Sequence, residues 1–152
     1  MGSRTPPDAL HFERLRRSCL GSPIARRHGY TIEIERAGRA RVVIPFDPEL
    51  TQNTGRLHGA VLFEAADTAG FVAANSVETA FGVLTVDYQL SLVRSATGGS
   101  VTALAEVLHA GRTLIRVESR VLDDDGELLA LGHGTYLVTR VPLSDVPGYA
   151  GE

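Results

Sequence analysis

From His58 to about Asn75 the chain carries a helix-length run that is apolar on nearly every face: Ala60, Val61, Leu62, Phe63, Ala65, Ala66, Ala69, Phe71, Val72, Ala73 and Ala74. A surface helix has one apolar stripe, whereas a helix apolar all round must be covered on every side. The chain has 152 residues, enough for one domain with a sizeable core. The expected cover is a single sheet wrapped around this helix.

The remaining pattern supplies that sheet. After Gly82 the period changes to two: Leu84, Val86, Tyr88, Leu90 and Leu92 fall on one face, and Thr85, Asp87, Gln89 and Ser91 on the other. Further strands are predicted at about 100–109, 112–122 and 127–140, with Ala110-Gly111 and Asp124-Asp125-Gly126 as hairpin turns. Ahead of the helix, strands are expected at Tyr30–Arg36 and Arg39–Ile44 around an Ala37-Gly38 turn, then a loop marked by Pro45 and Pro48. Ala9–Leu20 reads as a short amphipathic helix, capped by Asp8 and stopped by Gly21 and Pro23. Residues 1–8, with Pro6 and Pro7, read as disordered. The fold class is α+β, an antiparallel sheet curled around one helix. Residues 1–24 form an N-terminal tail and short helix, 25–142 the domain, and 143–152 a C-terminal tail.

Composition excludes several chemistries. All 15 basic residues are arginine, so a lysine Schiff base and a P-loop lysine are both out. The single cysteine, Cys19, rules out an internal disulfide and any cysteine-rich metal site. His11, His28, His109 and His133 show no ligand spacing, and Asp123-Asp124-Asp125-Gly126 lacks the alternate spacing of a calcium loop, so no metal is expected. No G-x-S-x-G, G-x-G-x-x-G or H-E-x-x-H occurs. A formal charge of −3 does not favour nucleic acid or an anionic membrane. No apolar run reaches the roughly 18 residues of a membrane span, and no signal-peptide core is present, so the protein reads as cytoplasmic.

The chemistry-bearing stretch is Gln52 to Asp67. A polar loop with Gln52, Asn53, Gly55, His58 and Gly59 feeds the apolar helix, which carries two acids, Glu64 and Asp67. An acid in an apolar helix is costly unless paired or used. A glycine at a helix start leaves a backbone N–H free for a ligand oxygen. Oxyanion donor and carboxylate together are the equipment of acyl transfer or hydrolysis.

This pattern resembles the hotdog fold, and the motif is similar to acyl-CoA thioesterases of the phenylacetate-degradation and 4-hydroxybenzoyl-CoA type. In those families an amide residue precedes His-Gly-Gly, and an acid follows nine residues after the His; His58-Gly59-Ala60 and Asp67 match, with Gln52 at the amide position and Asn53 beside it. Thr85-Val86-Asp87 matches the family's Ser/Thr-apolar-Asp, and Gly111-Arg112-Thr113 its Gly-basic-Thr turn. The resemblance covers roughly residues 25–140. Ala60 departs from the pattern at the second glycine, narrowing the space beside the substrate.

The resemblance implies roles. Asp67 is the carboxylate, as general base on water or as nucleophile; a helix acid paired with an arginine is the structural alternative. Glu64, three residues earlier on nearly the same face, is a rival base or a structural group. Gly59 offers its N–H to the thioester carbonyl. Gln52 binds that oxygen or holds the loop, and Asn53 is the second choice for that amide role or a turn former. Thr85 positions the water. Arg112, followed by Arg56 and Arg94, offers a guanidinium to CoA phosphates. Phe63, Phe71 and Phe81 are candidates for an acyl pocket or for plain core. His58 and Asp67 lie nine residues apart, about 900° of helix rotation, on opposite sides. His58 therefore shapes the loop, and the implied site is shared across a two-fold axis, with His58 and Gly59 from one subunit and Asp67 and Thr85 from the other. The implied partners are an acyl-CoA, which brings CoA as part of the substrate with no further cofactor, and a second copy of the chain as homodimer or dimer-of-dimers tetramer. Two function classes stand at this point: a thioester hydrolase and a non-catalytic acyl-CoA-binding protein of the same fold. A dehydratase of this fold is disfavoured, since H-x-x-x-F-P-G is absent.

Overall fold

A computed structural model describes residues 6–151. Helix α1 spans Ala9–Leu20, with the Asp8 carboxylate capping the His11 N–H at 2.8 Å. A second helix that the sequence reading did not include, α2, runs Pro23–His28, opened by Ser22 and Pro23 and closed by Gly29 in the left-handed region at φ 68°. Strands β1 (Thr31–Arg36) and β2 (Arg39–Pro45) form the expected hairpin, with Gly38 at φ 80° in its turn. The long helix α3 is Gly59–Val77, and β3 (Phe81–Leu92), β4 (Ser100–Ala110), β5 (Leu114–Leu122) and β6 (Leu128–Pro142) follow. Of the residues 1–8 read as disordered, 1–5 lie outside the described residues, and Asp8 is an ordered cap.

The strands make one six-stranded sheet in the order β1-β2-β4-β5-β6-β3, every neighbouring pair antiparallel. α3 touches all six strands. Its sheet-facing residues are small: Ala65, Ala66, Ala69, Ala73 and Ala74 are fully buried. This is the hotdog architecture, a sheet wrapped on one central helix. The expectation that every face of α3 is buried needs correction. Ala60, Phe63, Glu64, Asp67, Thr68 and Phe71 are only partly covered or exposed, and they recur at helical spacing as one open stripe.

The alternation expected along β3 also needs correction. Val83 is buried, while Leu84 and Val86 are 58% and 50% exposed. The register with β6 slips between Thr85 and Asp87, so Val86 is the extra residue of a β-bulge. The bulge changes which parity faces the helix: Val83 and Thr85 before it, Tyr88 and Leu90 after it. Thr85 thereby turns inward, off the outer polar face that strict period two assigns it.

The chain ends pack on the domain. Leu15 and His11 of α1 are buried, as are Leu143 and Tyr149 of the segment after β6. The His11 Nε2–H donates to the Asn75 carbonyl at 3.0 Å, which leaves Nδ1 to accept from the Tyr149 hydroxyl at 2.6 Å. Burial holds the His11 pKa below its ordinary value, in keeping with a neutral ring in that relay. Residues 143–151, set apart in sequence as a tail, thus fold back onto α1 and the end of α3.

Tyr88 lies over Gly132 and Gly134 of β6, where a Cβ at Gly134 would come 2.8 Å from Tyr88 Cδ2 and 2.7 Å from Tyr136 Cε2. Gly134→Ala is expected to destabilise the fold by about 1–3 kcal/mol, read as a Tm lowered by several degrees. An unchanged Tm would show that the two rings do not depend on that gap.

Candidate active site

Asp67 sits on the open stripe of α3, with its side chain directed at the sheet. The Thr85 hydroxyl donates to Asp67 Oδ1 at 2.9 Å, and the Tyr136 hydroxyl reaches the same Oδ1 and the Asp67 carbonyl at 3.2 Å. Both donors engage one oxygen, which leaves Oδ2 available to a reactant. Burial raises the Asp67 pKa, and the hydrogen bonds from Thr85 and Tyr136 pull it partway back. A carboxylate made more basic in this way is suited to taking a proton from water. Burial and the neighbouring Asp67 charge push the Tyr136 pKa far up, so its hydroxyl stays a donor.

Tyr136 is the residue that sequence reasoning missed. It is wholly buried on β6, opposite Ile115 on one side and Thr85 on the other. It reaches Asp67 because Gly70, one turn on in α3, has no side chain: a Cβ there would collide with the Tyr136 hydroxyl. A glycine inside a helix costs about 1 kcal/mol relative to alanine. That isolated glycine was the available signal, since such a position usually has a packing reason.

The other candidates fall into separate places. Glu64 is held by His28, whose Nδ1 lies 2.8 and 3.0 Å from its two carboxylate oxygens, and so ties α2 to α3. His58 is the N-cap of α3, its Nδ1 accepting from the Ala60 N–H at 3.0 Å. The Gly59 N–H has no hydrogen-bond partner among the described residues. Gly59, Gln52, Arg56 and Arg94 line one cleft of about 470 Å³ at the start of α3. Arg94 also pairs with Glu127 at 3.3 Å. Asn53 is exposed in the loop and does not line that cleft. Arg112 stands in the exposed β4–β5 turn, beside the end of the sheet where Leu114 pairs with Leu137 and Leu137 with Leu84. Gly59 lies at the other end, against Leu92. Asp67 and Thr85 are thus brought together, whereas Gln52 and Gly59 form a different cluster in the same chain, and Arg112 joins neither.

Among the three phenylalanines, Phe71 lines a cavity with Asp67. Phe63 and Phe81 are 41% and 39% exposed, with Phe63 set edge-on to Tyr88 at 5.1 Å. The acidic run is a turn, in which Asp123 Oδ1 accepts from the N–H groups of Asp125 and Glu127. Among the described residues no helix is long and apolar enough to cross a membrane.

Comparison with known proteins places this geometry. Residues 54–130 match the model of the thioesterase superfamily. A Saccharolobus solfataricus protein is 35% identical over 68% of this chain and 74% of its own length. The 1,4-dihydroxy-2-naphthoyl-CoA hydrolase of Listeria monocytogenes is 30% identical over 68% of this chain and 85% of that protein. The crystal structure of a thioesterase family protein from Silicibacter pomeroyi superimposes with a TM-score of 0.77 at 30% identity, covering 84% of this chain and 96% of that one. The matched segment contains His58, Gly59, Asp67 and Thr85, while Gln52, Asn53 and Tyr136 lie outside it.

Because the folded-state pKa of Asp67 lies above its unfolded value, the folded protein binds that proton more tightly. The group therefore costs stability at neutral pH, and the cost disappears as pH falls through the folded pKa toward the unfolded one. Asp67→Asn keeps an oxygen for Thr85 and Tyr136 and removes the charge. Its Tm at neutral pH should equal or exceed the wild-type value, with the gap closing on acidification. A markedly lower Tm at neutral pH would contradict the strained-acid reading.

Proposed function

The chain belongs to the thioesterase superfamily and is a thioester hydrolase, and from that premise we propose that it hydrolyses acyl-CoA to free acid and CoA with Asp67 as general base. The observation that carries this reading is the Asp67 carboxylate, basic through burial, gripped on one oxygen by Thr85 and Tyr136 and open on the other. Asp67 takes a proton from water as the water oxygen bonds to the thioester carbon. The carbonyl electrons move onto oxygen, where the Gly59 N–H, at the positive end of α3, stabilises them with help from Gln52. The oxyanion then collapses, the C–S bond breaks, and the CoA thiolate leaves to be protonated. Thioesters are activated already, so the chemistry asks for no cofactor beyond the CoA of the substrate. Arg56 and Arg94, in the cleft with Gly59, are better placed than Arg112 to meet phosphates near that oxyanion donor.

One chain does not supply a complete site on this reading. Gly59 and Asp67 are eight residues apart in α3, about 12 Å along its axis, and a general base must reach the carbonyl through a single water. The proposal therefore takes Gly59 and Gln52 from one protomer and Asp67 and Thr85 from its two-fold partner. The free edge of the sheet supports such pairing: β3 has only β6 beside it and exposes Leu84, Val86 and Leu92. A homodimer is the smallest active unit, alone or as half of a tetramer.

Steady-state hydrolysis of an acyl-CoA panel, with free thiol detected, tests the chemistry. Asp67→Asn should lower kcat by roughly 10²-fold or more. Wild-type binding of acyl-CoA without turnover would leave a binding protein instead. Labelled water oxygen found in the Asp67 carboxylate after one turnover would make it a nucleophile rather than a base.

Sedimentation of the wild type and of Leu84→Arg/Val86→Arg tests the assembly. The variant should be monomeric and inactive while keeping its far-UV spectrum. A fully active monomer would refute the shared site.

A further inference from the structure

The open stripe of α3 continues beyond Asp67. Asp67, Phe71 and Asn75 are spaced four residues apart, so they lie along one helix face over about 12 Å. Asp67 and Phe71 line a cavity of about 210 Å³. Phe71 and Asn75 line a second cavity of about 490 Å³, walled by Leu15 of α1, Val83 of β3, and Leu143 and Val146 of the C-terminal segment, with the exposed Leu84 and Val141 at its rim. Cys19 and Ser22 join Phe71 in lining both, so these three stand where the chambers adjoin, at the neck of any passage between them.

The wall of the larger chamber has no polar hook for a ligand. Among the described residues no acid, arginine or histidine lines it. Its polar side chains are committed within the protein. Asn75 Nδ2 donates to the Phe81 carbonyl and its Oδ1 accepts from the Val83 N–H. Thr139 donates to the Gly82 carbonyl and Ser18 to the Pro147 carbonyl, both at 2.6 Å. Ser22 caps the Ala25 N–H, and the Tyr149 hydroxyl is bound to His11. Burial pushes the Cys19 thiol up to about 12, so it is a protonated, apolar wall atom and not a nucleophile. A cavity of several hundred Å³ whose polar wall side chains are already hydrogen-bonded within the protein favours hydrocarbon.

We infer that this chamber holds the acyl tail: the thioester lies at Asp67, and an unbranched hydrocarbon chain passes Phe71 and Cys19 into the space beneath α1. The preferred substrates are medium-chain acyl-CoAs, of roughly eight to ten carbons for a chain following about 12 Å of helix. The inference rests on the hydrolase reading with Asp67 as base. Most of the wall lies outside residues 54–130, on α1, Ser22, the end of β6 and the segment after it.

The test is kcat/KM for a straight-chain series from acetyl- to palmitoyl-CoA, with benzoyl-CoA and ω-hydroxyoctanoyl-CoA alongside. Each added methylene should raise kcat/KM about fourfold, the equivalent of ~0.8 kcal/mol per buried CH₂, until the rise stops near octanoyl to decanoyl. The terminal hydroxyl, left without a partner, should lower kcat/KM at least tenfold against octanoyl. Cys19→Phe, placed in the neck, should flatten the series. Val146→Trp intrudes from the opposite wall and serves if Cys19→Phe fails to fold. A flat wild-type series, a preference for acetyl- or benzoyl-CoA, or a series unchanged in a folded neck or wall variant would overturn the assignment. Loss of turnover on every thioester would instead overturn the hydrolase reading on which it rests.

Discussion

How closely α3 approaches the sheet sets what every other part of this protein can do. Ala65, Ala66, Ala69 and Ala73 leave little side chain between helix and strands, and the Ser119 hydroxyl donates straight to the Ala66 carbonyl at 3.1 Å. At Gly70 the helix gives up its side chain altogether, and the Tyr136 ring uses that space to bring its hydroxyl to Asp67. A bulkier helix face would move the axis outward and leave the Tyr136 hydroxyl short of the carboxylate. It would also separate Asp67 from Thr85. The packing of small residues and the clasp on the acid are one arrangement.

The same approach explains where polar groups are tolerated. On the sheet-facing side α3 carries almost nothing that needs a partner, apart from Ser76 near its end. Asn75, at the end of the open stripe, is bonded to the Phe81 carbonyl and the Val83 N–H at the start of β3, and Ser76 accepts from the Gly38 N–H while donating to the Ala73 carbonyl. Glu64, Asp67 and Thr68 are confined to the stripe that the sheet does not cover. There the flanking segments close in: α2 through the His28–Glu64 pair, and α1 with the C-terminal segment through the Asn75–His11–Tyr149 relay. The central helix and strands supply the acid and its donors, and the two ends of the chain supply the enclosure beside it. Chemistry and enclosure thus belong to different parts of the sequence.

Much of this was legible before any coordinates. The apolar run of α3 had to be central, the period-two runs had to be strands, and Asp8, Gly21 and Gly38 marked their boundaries through capping and turn geometry that depends on local chemistry alone. The ordered set Gln52, Gly59, Asp67 and Thr85 was readable as a motif because its spacing is a property of the chain. Helix α2 went unseen because its six residues are too few to show a period. The hydrogen bond between Thr85 and Asp67 could not be read either. Strict alternation placed Thr85 outward, and only the bulge at Val86 turns it in.

The sequence by itself therefore determined the elements, the wrapped-helix class and which residues are chemically able to act, since propensity, period and side-chain type are written locally. The tertiary structure decided which of them meet. Tyr136 and Asp67 are 69 residues apart, His28 and Glu64 are 36 apart, and the neck residue Cys19 faces Phe71 across two helices. Such encounters depend on how closely two surfaces approach and on where a strand register slips by one residue. Both are settled by the packing of the whole core, and no local pattern encodes them.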